Sequence, residues 1–135
     1  MNKSKGFTII ELIVVIAIIA VLAAIVLVNV TQYIAKGRDS AIKGDMSTIM
    51  ANSAVYFDSQ SPSTYVGFGA SALYTNPSTA AVGAGATGVL EFESASAFCS
   101  SLTLNDTTFW CVDSTGYSGA PTAADTCAAT NIACK

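Results

Sequence analysis

The strongest constraint on this chain is a run of seventeen consecutive apolar residues, 12–28, with no Gly, Pro or polar side chain in it. Taken from Phe7 to Val30 the segment has 24 residues, enough to cross a bilayer core of roughly 30 Å with some tilt. A helix that is apolar all round must be buried in lipid or in the core of an assembly. One acid, Glu11, stands just inside the start of this segment. An ionised carboxylate there costs roughly 2.5–3.5 kcal/mol to place in lipid, so its presence marks function. It needs a cation, or it neutralises.

Ahead of the run the chain reads Gly6-Phe7-Thr8-Ile9-Ile10-Glu11. This stretch resembles the class III signal of type IV pilins and pseudopilins. The resemblance covers about residues 3–30 and extends more weakly along the helical continuation to about residue 59. In that family a membrane aspartyl peptidase cuts after the Gly on the cytoplasmic side, and the same enzyme usually methylates the new N-terminus. The resemblance therefore implies cleavage between Gly6 and Phe7, N-methylation of Phe7, and Glu11 as the assembly carboxylate. Many pilins carry a Pro within the apolar helix; here the first is Pro62. A plain secretory signal or anchor is the competing reading, with Ala20, Ala23 and Ala24 as small residues for a conventional cut. Glu11 and the Gly-Phe boundary favour the pilin signal.

Lys3 and Lys5 precede the apolar run, while Lys36 and Arg38 after it are about balanced by Asp39. Positive flanks stay cytoplasmic, which predicts a single-pass segment in the cytoplasmic membrane with its N-terminus inside. The rest of the chain is then exported. That agrees with its four cysteines, Cys99, Cys111, Cys127 and Cys134, which read as two disulfides in a small, loop-rich, oxidised domain. Their spacings fit no common zinc pattern, and the chain has no His. Net charge is −3, and beyond Met46 six acids face Lys135 alone. Such a surface is a poor one for nucleic acid, which needs clustered Lys or Arg.

The fold class expected is α+β: a long N-terminal transmembrane helix packed on a small antiparallel β-sheet head, pilin-like. Four segments follow: a leader at 1–6, a transmembrane or filament-core helix at 7–30, an amphipathic continuation at 31–60, and a head at 61–135. Ile42, Met46, Ile49, Met50, Ala54 and Phe57 recur at helical spacing, and Pro62 ends the helix near 58–61. Asp39 stands at ion-pairing distance along the helix from Lys36 and Lys43. Gly37 and Gly44 weaken the middle by about 1 kcal/mol each, as a bend or as a place of close packing.

Residues 61–88 read as loop, with a short helical turn near 70–74. Residues 89–93 read as a strand, and 97–104 with 107–113 as a hairpin. A three-residue loop at 104–106 sets Cys99 opposite Cys111 and favours that pair, leaving Cys127 with Cys134, although four cysteines allow three pairings. Trp110 is the expected anchor of sheet on helix. Glu91 and Glu93 share one strand face and read as solvated. Asn105-Asp106-Thr107 matches a glycosylation sequon.

No nucleophile motif and no phosphate loop occur, so catalysis is not expected. The stretch from Phe109 to Gly116 resembles the C-terminal strand and turn of some pilin and major-pseudopilin heads. Some pseudopilins hold calcium in a C-terminal loop, where Asp113, Ser114 and Asp125 would supply oxygens. The Asp-x-Asp-x-Asp-Gly run is missing, and no cofactor is the expectation. The family implies a homo-oligomeric helical filament, a prepilin peptidase, and an inner-membrane platform with its motor. It implies membrane lipid as the surroundings before assembly and the cell surface after it. A pilus subunit competes with the major pseudopilin of a secretion or competence system. A membrane-anchored extracellular binding protein is the reading from another class.

Overall fold

The computed structural model describes residues 6–121 and 127–134, with residues 28 and 29 by backbone only. Helix α1 spans Ile9–Ser59, ending three residues before Pro62 as the sequence predicts. Strands β1 (Thr87–Glu93), β2 (Phe98–Thr103), β3 (Phe109–Asp113) and β4 (Ser118–Gly119) form one antiparallel sheet in the order β1-β2-β3-β4. Strands β5 (Cys127–Ala128) and β6 (Asn131–Ile132) make a separate small hairpin. A long apolar helix followed by a small antiparallel sheet is the α+β, pilin-like layout expected. The chain divides into two compact units, Met1–Ile34 and Ala35–Lys135.

In the second unit, Ile42, Met46 and Ile49 of α1 are fully buried and meet Phe68, Phe98, Leu102 and Val112. Fully burying side chains of this size stabilises by roughly 1.5–3 kcal/mol each. Met50 and Phe57 pack at the margin. Ala54 is exposed, and Ser53 takes the next buried position. The stripe runs 42, 46, 49, 53, and Ser53 tolerates burial because its hydroxyl bonds Met50 O at 2.7 Å. Gly37 and Gly44 do not mark close packing, since a Cβ on either meets open space.

The stretch expected as loop instead holds a second helix, α2, Ala72–Gly83, with Pro77 inside it. Tyr74, Pro77 and Ala81 form its buried face. Proline removes one amide, the one that would have bonded the carbonyl of Leu73. Asn52 of α1 takes that place, its Nδ2 donating to Leu73 O at 2.7 Å. A helix read locally as broken is therefore completed by a side chain 21 residues away. Its end is a Schellman turn: Ala86 N donates to Ala81 O at 3.0 Å and Gly85 N to Val82 O at 2.9 Å, with Gly85 at φ +109°.

The β2–β3 register differs from expectation by two residues. Thr103 pairs with Phe109, Ser101 with Cys111 and Cys99 with Asp113. The connecting loop is 104–108, five residues rather than three. Asp106 Oδ1 accepts from Thr108 N at 2.9 Å and from the Thr108 hydroxyl, and Leu104 N bonds Thr108 O at 2.8 Å. This Asx turn draws residues 107 and 108 out of the strand. Cys99 and Cys111 thus lie diagonally on one sheet face. Each bonds the C-terminal segment, as Cys99–Cys127 and Cys111–Cys134, with Cα–Cα distances of 5.7 Å in both. The pairing that the expected register favoured is overturned for this reason.

On the opposite face Phe98, Leu102 and Val112 point to the helices. Trp110 is half-buried there, with the Lys43 ammonium 4.6 Å from its ring centre. It shares the anchoring role with side chains that are buried more completely.

Candidate functional site at the start of the apolar helix

Thr8 is the last residue before α1 and its backbone carbonyl accepts from Leu12 N at 3.3 Å. The Thr8 hydroxyl accepts from Glu11 N at 3.3 Å. Glu11 Oε2 in return accepts from Thr8 N at 2.9 Å and from the Thr8 hydroxyl at 2.8 Å. This is a capping box, in which two amides that a helix start leaves unpaired are satisfied reciprocally. The positive end of the helix dipole adds to the attraction for the carboxylate. Reading the sequence for charge singles out Glu11 and passes over Thr8, although Thr-x-x-Glu ahead of an apolar run is a legible helix-start signature.

The box fixes where the carboxylate points. It turns back along the helix, toward residue 7, and all of its bonds to Thr8 use Oε2. Among the described residues Oε1 receives no donor and can take a further one. Gly6 and Phe7 both precede the first helical residue and are exposed, Phe7 at 80%. The peptide bond between them is therefore accessible. Lys3 and Lys5 lie outside the described residues.

Beyond Glu11 the helix presents large apolar side chains on every side. Val14, Ala17, Ile18, Val21 and Leu22 outline a shallow apolar groove along one face, where the small Ala17 makes the notch. Among the described residues, α1 is the helix long and apolar enough to cross a membrane by length and composition.

The other singled-out residues lie in the head and do not join this site. Asp113 is buried and spends both oxygens on the fold. Oδ1 accepts from Thr115 N (2.8 Å), Thr115 Oγ1 (2.6 Å) and Tyr117 N (3.2 Å), and Oδ2 accepts from Cys134 N at 2.8 Å. Burial pushes its carboxyl up, but the donors from Thr115, Cys134 and Tyr117 together outweigh it and hold it below the ordinary value. Ser114 follows it in the turn, and Asp125 lies outside the described residues. Asn105 Nδ2 donates to Asp39 Oδ1 at 2.9 Å and to Ala84 O at 3.2 Å, so the amide of the sequon is occupied within the fold. Asp39, expected on the ion-paired helix surface, is 4% exposed and also accepts from Asn105 N at 2.8 Å. Glu91 and Glu93 do not face solvent freely. Glu93 accepts from Gly67 N at 2.5 Å and from Gly69 N at 2.8 Å, and Glu91 lies half-buried beside them.

Residues 1–27 match the family model described as the prokaryotic N-terminal methylation motif. No curated protein and no solved structure matches the chain. The matched segment contains Gly6, Phe7, Thr8 and Glu11, the residues of the site just described. The match is confined to this N-terminal segment, and a signal of this kind followed by a long apolar helix and a small α+β head is consistent with the type IV pilin and pseudopilin layout. Such a signal is of the kind that a prepilin peptidase processes, and with the long apolar helix behind it fits membrane anchoring before assembly.

Proposed function

We propose that the chain is the precursor of a structural, non-catalytic subunit of a type IV pilus-like filament, polymerised through its N-terminal helix. The observation that carries this reading is the Glu11 carboxylate, held by Thr8 at the exposed start of an apolar helix and aimed at residue 7. Cleavage after Gly6 creates an α-amine on Phe7. Such an amine has an ordinary pKa of about 7.7–8.0 and is largely cationic at neutral pH; methylation of an amine retains that charge. The amine of a neighbouring subunit, staggered along the axis, meets the open Oε1 of Glu11. The pair removes both charges from lipid together and sets the register of packing. An amine bonding the Glu11 of its own chain satisfies the charge without driving assembly, and the axial stagger is what separates the two outcomes.

In this reading the subunit waits in the cytoplasmic membrane with its N-terminus inside, and the disulfide-bonded head folds outside. An inner-membrane platform and cytoplasmic motor then move it to the cell surface. Glu11→Ala and Glu11→Gln abolish filaments in electron micrographs of sheared surface material, while the processed subunit still accumulates in the membrane. Mass spectrometry of that subunit finds Phe7 as a methylated N-terminus. Filaments formed equally well by Glu11→Ala, or by uncut precursor, overturn the proposal. Loss of exported enzymes on deletion, without surface filaments, assigns the subunit to a secretion system as its major pseudopilin. Unchanged function in Glu11→Ala without any filament assigns it as an anchored binding protein.

A further inference from the structure

We propose that Glu91 and Glu93 of β1 form a proton-sharing carboxyl pair that clasps the 65–69 loop to the sheet in acid and loosens it in alkali. The clasp is built from three elements. From β1, the Glu93 carboxylate accepts the amides of Gly67 and Gly69 at 2.5 Å and 2.8 Å. From the loop, Gly67 stands at φ +89°, a conformation that turns its amide inward and that L side chains rarely adopt. A Cβ there would also come 2.8 Å from the Tyr56 hydroxyl. From α1, that same hydroxyl donates to Val66 O at 2.9 Å. The loop is thus held from two sides, and the Glu93 side depends on its neighbour.

Glu91 lies under the loop, its carboxylate against the position that a Cβ on Gly69 would fill. Its Oε1 is buried and has no hydrogen-bond partner among the described residues. A buried carboxylate oxygen without a donor is costly when ionised and tolerable when protonated. The titratable groups facing Glu91 are Glu93 on its own strand and Tyr74 from α2, while Tyr56 from α1 stands beside Gly67. Tyr65 on the loop is pushed up by burial first and then by the charge of Asp58. Among the described residues no lysine or arginine contributes to this group. Burial first, then the charge of Glu93 and the hydrogen bond to it, push the Glu91 carboxyl up to about 7.

With its proton on, neutral Glu91 donates to Glu93 and leaves Glu93 charged toward the two amides. With the proton lost to solvent, two carboxylates share a half-buried pocket without a cation. Repulsion is then relieved by one carboxylate swinging out, and the loop amides lose their acceptor. Because the folded-state value lies above the ordinary 4.5, this contribution to stability is complete below about 4.5 and is lost as pH rises through about 7. The segment affected carries the exposed Val66 and leads into the buried Phe68, so external pH changes the order of this part of the head surface.

The test is amide exchange of the full chain in detergent micelles between pH 5.5 and 8.5, corrected for intrinsic chemical exchange. Protection of the Gly67 and Gly69 amides in the parent falls roughly tenfold or more across that range, discounted for partial solvent screening. Glu91→Gln, whose amide donates to Glu93 at every pH, keeps the acid-side protection throughout. Equal loss in parent and Glu91→Gln overturns the proposal, as does unchanged protection in the parent. If Glu91→Gln does not fold, direct carboxyl titration of the parent by carbon NMR decides. A Glu91 midpoint near 7 supports the clasp, and one below 5 overturns it.

Discussion

Single side chains do more connecting work in this protein than their chemistry suggests in isolation. Asp113 is the clearest case, since its two oxygens take four donors from the turn after β3 and from Cys134. Asp113→Ala leaves the buried Cys134 amide unpaired and strips the part-buried Thr115 and Tyr117 amides of their acceptor, so the expected loss of stability is about 1–3 kcal/mol. It is measured as a fall in the urea midpoint of the full chain in detergent. The pH signature has a definite sign. The Asp113 carboxyl is held below its ordinary value, so its contribution is present above about 3.9 and is lost as pH falls further. Asp113→Asn should flatten this acid limb. Glu91, on the proposal above, works in the opposite direction. Glu11 itself was legible as an isolated acid beside an apolar run. The part played by Asp113 was not, because its donors come from residues 115, 117 and 134.

At the scale of elements, α1 was readable because its signal is local and repeated. The apolar run, the stripe at 42, 46 and 49, and Pro62 all lie within the helix or next to it. Helix α2 was not readable, because its completion is tertiary: Asn52 supplies the bond that Pro77 removes. Asn52→Ala should cost about 1–3 kcal/mol by leaving Leu73 O without a partner. Pro77→Ala, which restores an amide at that position, should recover part of the loss in the Asn52→Ala background. A double-mutant cycle read by urea denaturation shows a coupling between the two sites if this account holds, and additivity if it does not. Gly85→Ala should destabilise the head by about 1 kcal/mol or more, because φ +109° is strained for alanine and the added Cβ runs into Asn105. Gly44→Ala should instead stabilise by about 1 kcal/mol, since open space surrounds it. Thermal melts of the two variants in detergent should move in opposite directions.

For the whole molecule, the two disulfides tie separate strands to the C-terminal segment, at sequence separations of 28 and 23. Removing Cys111 and Cys134 together, as serines, should cost roughly 2–5 kcal/mol. It should free the C-terminal segment to proteolysis under conditions where the parent resists, while processing at Gly6 continues. The residues of the N-terminal segment are contiguous in the chain, and that is why the sequence by itself singled out Gly6, Phe7 and Glu11 there. The Gly6-Phe7 boundary, Glu11 and the apolar run all lie within residues 6–28, where local geometry and the cost of burying charge leave little freedom. The two-residue register of the β2–β3 hairpin, and with it the disulfide pairing, was settled only in three dimensions. An Asx turn at Asp106 and the docking of Asn105 on Asp39 compete with every shorter loop. Such a choice depends on contacts between residues 66 positions apart, which no local pattern encodes.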